Sequence, residues 1–191
     1  PPAPSPVRVF AAGSLREALS AVARAFESTG GGKVELVFGP SGLLRERLAG
    51  GEKADLFASA NTEHPLALVQ SGHAVDMRPF TRNRLCGLLR GGFTVASDGL
   101  LEALLDPRTR LATSTPGSDP AGDYAWLLFG RADALRPGAR EQLSRKALQL
   151  VGGPRSAPTP PGRSAYAHWM AEGAADVFLT YCTNARQAER E

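Results

Sequence analysis

The chain has 191 residues, 42% of them hydrophobic and 21% charged, with 21 glycines and 15 prolines, a balance that excludes a disordered or fibrous protein and leaves a globular one. Its net charge of +3 comes with only three lysines, Lys33, Lys53 and Lys146, and its arginines alternate with acids, as in LRERL and GAREQLSRKAL, so there is no basic run of the nucleic-acid-binding kind. No stretch approaches the roughly 20 apolar residues of a membrane helix, and the chain opens without a charged-then-apolar signal pattern.

The opening PPAPSP, Pro1 to Pro6, reads as a proline-rich linker or the trimmed end of a longer precursor, which permits an exported protein. VRVF, Val7 to Phe10, is a β-rich run. SLREALSAVARAFEST then places Leu15, Leu19, Val22, Ala23 and Phe26 on one helical face and stops at Gly30, Gly31 and Gly32. KVELVFG alternates as a strand, SGLLRERLAGG makes a short helix, ADLFASA a third strand and NTEHPLALVQSG another helix. This βαβαβ order predicts a parallel, doubly wound sheet with right-handed crossovers.

An extended connector leads to a strand over Asn83 to Leu89, and the alternation resumes. GLLEALLDPRT is read as helix, RLATST as strand, AGDYAWLLFGRA, AREQLSRKALQLVGG and RSAYAHWMAEG as helices, and ADVFLTYC as strand. Two α/β units joined near Pro79 to Arg84 follow. GGEKADLFASA and EGAADVFLTY echo one another, each passing from a glycine-ended helix through Ala-Asp into a strand, so Asp55 and Asp176 are strand-start residues rather than catalytic ones.

Three helix starts look alike. Ser14 with Glu17 makes a capping-box pattern in AAGSLRE, Ser41 stands at a cap position after Gly39 and Pro40, and STPGSDPAGDYAW feeds a helix starting near Pro120 or Ala121. In a doubly wound sheet such starts lie at the C-terminal sheet edge, where open α/β folds bind ligands. Their unpaired N–H groups and positive dipole ends make converging starts an anion site. Enzyme signatures are missing: there is no GxxxxGK[ST], no GxGxxG after a strand and no HExxH, and GPSGL departs from the GxSxG elbow at Leu43. His64, His73 and His168 are dispersed. Cys86 and Cys182 make no CxxC, which argues against a thiol-ligated zinc and leaves two buried thiols or one long-range disulfide.

The segments VRVFAAGSLREAL, VFGPSGLLRERLAGGEKADLFASAN, PAGDYA and ADVFLTYCTNA, in this order and spacing, resemble the molybdate-binding proteins of ABC importers, which belong to the type II periplasmic binding proteins. The resemblance spans nearly the whole chain and is strongest from Val7 to Asn61. It implies a non-enzymatic, extracytoplasmic (periplasmic) protein that holds molybdate or tungstate, without a cofactor, for an ABC permease. It further implies a monomer that touches the membrane only through that permease or an N-terminal anchor. The implied fold is two doubly wound α/β lobes joined by a hinge: residues 7–80, a crossover at 81–84, residues 85–181, and a return segment at 182–191 toward the first lobe. The family's chain continues past the tyrosine strand, so the first lobe is expected to be incomplete at its C-terminal side.

Carried over by motif, the hydroxyl and N–H of Ser14 and Ser41, the Ala121 N–H, the Tyr181 hydroxyl and one backbone donor at Arg163 or its neighbour Gly162 hold the anion, with no direct bond from protein to molybdenum. Asp119 and Asp123 flank Ala121 and are read as helix N-terminal acids facing solvent. A Cys86–Cys182 disulfide is expected, both cysteines lying on the crossover segments. Three alternatives stand beside this reading: the effector-sensing domain of a transcriptional regulator, a serine esterase using Ser14 or Ser41, and a binding protein for another ligand such as sulfate or a cation held by Asp119 and Asp123.

Overall fold

In the computed structural model of the chain, residues 5–191 are described; Pro1 to Pro4 of the proline-rich opening lie outside them. The fold divides into two compact units between Thr81 and Arg82.

The first unit runs β1 (Val7–Ala12), a 3-10 turn (Gly13–Leu15), α1 (Arg16–Ser28), β2 (Val34–Gly39), α2 (Ser41–Ala49), β3 (Leu56–Ala58) and α3 (Glu63–Gln70). The three strands are parallel in the order β2-β1-β3. From Val9 to Ala12 the central strand is buried on both faces, which suits its apolar run VFAA. Val9 and Ala11 pack with Ala58, Leu15 and Leu19, while Phe10 points the other way, fully buried, with the Arg8 and Arg47 guanidiniums 5.1 and 4.6 Å from its ring centre.

Helix α1 has no buried residue. Of its predicted apolar stripe, Leu15 and Leu19 reach the core, whereas Val22 is 60% and Phe26 43% exposed. The Phe26 ring covers the following turn instead: a Cβ on Gly31 would stand 2.5 Å from it. A residue without a side chain is what allows the ring to lie there.

The second unit runs β4 (Leu85–Leu89), a 3-10 turn (Ser97–Gly99), α4 (Leu100–Leu105), β5 (Leu111–Ser114), α5 (Pro120–Leu135), α6 (Ala139–Lys146), β6 (Leu148–Val151), α7 (Ala165–Ala171), β7 (Val177–Tyr181) and α8 (Cys182–Ala188). The sheet order is β4-β7-β5-β6; β5 runs parallel to β6 and β7, and β4 runs antiparallel to β7. One face packs Leu111, Val177 and Leu179 on Phe129 and Leu143; the other packs Ala112 and Phe178 on Ala185 and Val151.

Two sequence expectations change. AREQLSRKALQLVGG is not one helix, because α6 ends at Lys146 and Leu148–Val151 pairs with β5 as a strand. The residues after Tyr181, expected as a return segment, form α8, which packs on β4, β7 and α7 within the second unit.

Asp55 and Asp176 do the same job in the two units. Asp55 Oδ2 accepts the Arg8 N–H at 2.7 Å while its own N–H donates to the Arg8 carbonyl at 2.8 Å. Asp176 Oδ2 accepts the Arg110 N–H at 2.9 Å, and its N–H donates to the Arg110 carbonyl at 2.8 Å. Each carboxylate thereby fastens the start of a strand to the chain entering its parallel neighbour. Asp176 also takes the Arg90 and Arg110 side chains, and the Arg110 guanidinium first of all holds its carboxyl well below the usual carboxylate range.

Candidate functional site

The C-terminal ends of the parallel strands in each unit carry the residues picked out by sequence. In the first unit, β1 and β2 end side by side, with Ala12 and Gly39 paired in register. Ser14 follows β1 within the 3-10 turn and is half-buried; Ser41 follows β2 as the first residue of α2 and is 1% exposed. Both strand ends lead, two residues on, to a serine at the same sheet edge.

Neither serine is the cap that the sequence pattern suggests. The helical turn after β1 starts from Ala12 and α1 from Leu15, with no side-chain cap hydrogen bond at either, and α2 starts from Pro40. The φ of −61° that proline fixes at position 40 sets Ser41 one place inside the helix. There its Oγ accepts the Ala60 N–H at 3.1 Å, fastening α2 to the end of β3. The Ser41 hydroxyl hydrogen remains a donor, because a hydroxyl accepts and donates at once. Ser59 and Asn61, which follow β3, add to this edge a hydroxyl and an amide bonded to each other at 3.2 Å. Both stand within ADLFASAN, and their position just past a parallel strand is the sequence signal for a place at this edge.

In the second unit the corresponding edge is built by β5, β7 and α5. Ser114 ends β5 fully buried, and its Oγ lies 3.4 Å from the Tyr166 hydroxyl of α7. The β5–α5 connection folds back on itself: Thr115 Oγ1 donates to the Val151 carbonyl at 3.0 Å and Asp119 N–H to the Thr115 carbonyl at 2.9 Å. Helix α5 then begins so close to β5 that a Cβ on Gly122 would stand 2.6 Å from the Ser114 carbonyl oxygen.

Ala121 is fully buried, and its N–H donates to Asp119 Oδ1 at 3.0 Å. Asp119 is therefore the N-cap of α5, with Pro120 in the first turn. This corrects the expectation that it faces solvent. Its carboxylate is packed beneath the loop after β6, where a Cβ on Gly152 would stand 2.5 Å from Oδ2. Burial pushes its carboxyl up to about 6, against the lowering effect of the Ala121 N–H and the Ser114 hydroxyl, and Asp123 adds a further upward push. Asp123 itself turns back to accept the Gly117 N–H at 2.7 Å. The Asp-Pro step before an apolar helix was the signal for this cap.

Tyr181 closes β7, buried, with its ring edge-on to Tyr124 at 6.2 Å. Burial, then the charges of Tyr124 and Asp119, push its hydroxyl far above the ordinary tyrosine range, and burial does the same for Tyr166. Both are neutral donors at any physiological pH. Arg163 is exposed in the turn before α7, donates its N–H to the Pro160 carbonyl at 3.3 Å and follows Gly162, whose φ is +76°.

Cys86 of β4 and Cys182 at the start of α8 are joined by a disulfide, with their Cα atoms 5.0 Å apart. They lie on a strand and a helix of the second unit rather than on crossover segments.

The second-unit edge thus offers neutral hydroxyls and a helix start around the Asp119 carboxylate, and the first-unit edge offers serine hydroxyls and N–H groups. Among the described residues no group of three or more His, Cys, Asp or Glu is placed to hold a metal.

A family model described as bacterial extracellular solute-binding protein matches residues 7–191. The chain belongs to that family. As a solute-binding protein it stands among extracellular binding proteins rather than enzymes. It is 40% identical over 180 residues to the uncharacterized protein PM1146 of Pasteurella multocida (strain Pm70), covering 93% of this chain and 74% of that one. Its fold is similar to that of the sulfate-binding protein SubI from Mycobacterium tuberculosis H37Rv, with a TM-score of 0.73, 20% identity, and 98% of this chain and 68% of the other covered. It is also similar to that of the periplasmic molybdate-binding protein of Azotobacter vinelandii, with a TM-score of 0.65, 20% identity, and 92% and 71% covered. At such identities the likeness concerns the fold, which is that of the type II periplasmic binding proteins.

Proposed function

We propose that this solute-binding protein captures a tetrahedral oxyanion, molybdate or tungstate, outside the cytoplasm and delivers it to the permease of an ABC importer. The observation that carries the reading is the paired ending of β1 and β2 at Ala12 and Gly39, which brings Ser14 and Ser41 to one sheet edge. Serine hydroxyls and helix-start N–H groups spread a dianion's charge over many neutral hydrogen bonds without a fixed cation. Tyr181, a buried and neutral hydroxyl at the end of β7, is the second unit's donor, and Ala121 and the Gly162–Arg163 turn supply backbone N–H groups. Selectivity over sulfate rests on cavity size, since both ligands are tetrahedral dianions.

Many of the arginines support this reading by being already paired. Arg8, Arg47, Arg90, Arg108, Arg110 and Arg136 each bridge to a carboxylate, which leaves less unpaired positive charge to attract a polyanion.

Titration calorimetry with molybdate, tungstate, sulfate and phosphate tests the assignment. Binding of molybdate or tungstate at micromolar protein is the expected result, and no heat with either rejects it. Ser14→Ala and Ser41→Ala are each expected to weaken binding by about 1–3 kcal/mol, the cost of a lost hydrogen bond to a charged group. Unchanged affinity in both variants would move the site elsewhere.

A further inference from the structure

The Ala121 N–H that the proposed site needs is already engaged. It donates to Asp119 Oδ1 at 3.0 Å, so the anion at the start of α5 is the chain's own carboxylate. That helix is 16 residues long, and its first turn carries the positive end of its dipole. A dianion arriving at the same N–H meets a like charge within hydrogen-bonding range.

Asp119 has little room to swing aside. Oδ1 is held by the Ala121 N–H, and Oδ2 lies close to Gly152, where an added Cβ would stand 2.5 Å from it. Gly152 has φ +78°, so the loop that lies over Asp119 adopts a shape that favours glycine. Neutralising the carboxylate relieves the repulsion without moving it.

We propose that Asp119 is a built-in competitor of the oxyanion, and that a dianion takes over the Ala121 N–H as Asp119 takes up one proton from solvent. The proton ends on a carboxylate oxygen of Asp119, the Ala121 hydrogen bond passes to the ligand, and no covalent bond is made or broken. The new carboxylic O–H becomes a donor, so the same side chain turns from a repelling group into a further hydrogen-bond donor near the ligand. This rests on the oxyanion reading given above.

The charged and titratable groups acting with Asp119 are few. Asp123 on α5 raises its affinity for a proton, and Tyr166 of α7 and Tyr181 of β7, both neutral at physiological pH, feel its charge in turn. Tyr124, whose ring meets Tyr181, lies one turn along α5. The loop over the carboxylate presents Gly152, which carries no charge. Asp119 already prefers its protonated form more than an ordinary aspartate does, with burial as the main cause and a midpoint near 6, so the proton needed is within reach at neutral pH.

The test is calorimetry of the intact chain with molybdate, and with tungstate in parallel, between about pH 6 and about pH 8.5 in two buffers of different ionisation heat. The expected result is uptake of close to one proton per ligand above pH 7. Affinity should rise about tenfold per pH unit on acidification, flattening near pH 6, as one linked proton requires. Asp119→Asn, which keeps a capping side chain, should bind more tightly than the parent at pH 8, with no proton uptake and no slope; Asp119→Ser, which also caps, should behave likewise. Equal affinity and equal slope in parent and variants overturn this proposal while leaving the oxyanion reading intact. Absence of binding in the parent and in both variants, all of them folded by circular dichroism, overturns the oxyanion reading and this proposal with it.

Discussion

Asp119 combines two roles that single-residue reasoning tends to separate. As an N-cap it satisfies an orphan N–H of α5 and complements the helix dipole; as a carboxylate under a glycine loop it carries a desolvation cost. Its folded midpoint near 6 lies above the ordinary aspartate value, so the folded protein favours the protonated form. The associated cost is absent well below pH 4, grows as pH rises from about 4 to about 6, and is constant above. Its size is on the order of 3 kcal/mol. Asp119→Asn is therefore expected to raise the denaturation midpoint at pH 8 and to leave it nearly unchanged near pH 3.5, as a urea titration at the two pH values will show. Gly152 is the reciprocal residue. Gly152→Ala combines a left-handed φ of +78° with a contact at 2.5 Å, and should cost about 1–3 kcal/mol in the same titration.

At the scale of elements, the recurring unit is a parallel strand whose start is fastened by an aspartate and whose end opens into a small-residue helix start. Asp55 and Asp176 fasten Arg8 and Arg110 with the same pair of hydrogen bonds, which gives the faint Ala-Asp echo in the sequence a physical content. The two differ in burial, since Asp176 is 6% exposed and takes two arginine side chains as well. Asp176→Ala should thus destabilise by about 1–3 kcal/mol through donors left unsatisfied, more than Asp55→Ala. Because Asp176 titrates below the ordinary range, its contribution is complete above about pH 4 and is lost as pH falls through its lowered folded value; equal losses in the two variants would contradict the distinction. Elements with long apolar periodicity, such as α5 in AGDYAWLLFGRA, were legible from sequence. Strand β6 was not: LQLV follows Leu143 and Ala147 at spacings that also continue a helix, and four residues are too few for periodicity to decide. Its pairing with β5, from Ala112 to Ser114, is what makes it a strand.

For the whole molecule, the disulfide closes a span of 96 residues from β4 to α8, and so ties the first strand of the second unit to the helix that follows Tyr181. Reduction of so long a loop is expected to cost about 2–5 kcal/mol, read as a lower melting temperature in dithiothreitol. A Cys86→Ser/Cys182→Ser pair should reproduce the loss without reductant. Alternation of apolar runs and amphipathic helices is local information, and it was enough to predict two α/β units, a parallel first sheet and ligand candidates at strand ends. Three things were settled only by the chain's return on itself. The antiparallel placement of β4 against β7 depends on strands separated by most of the second unit. The engagement of Ser41 with Ala60 depends on where β3 lies beside β1. The enclosure of the Asp119 carboxylate depends on Gly152, 33 positions along the chain. The residue types that can hold an anion are written in the sequence; which of their donors are already occupied follows from sheet register and loop packing, which no local pattern encodes.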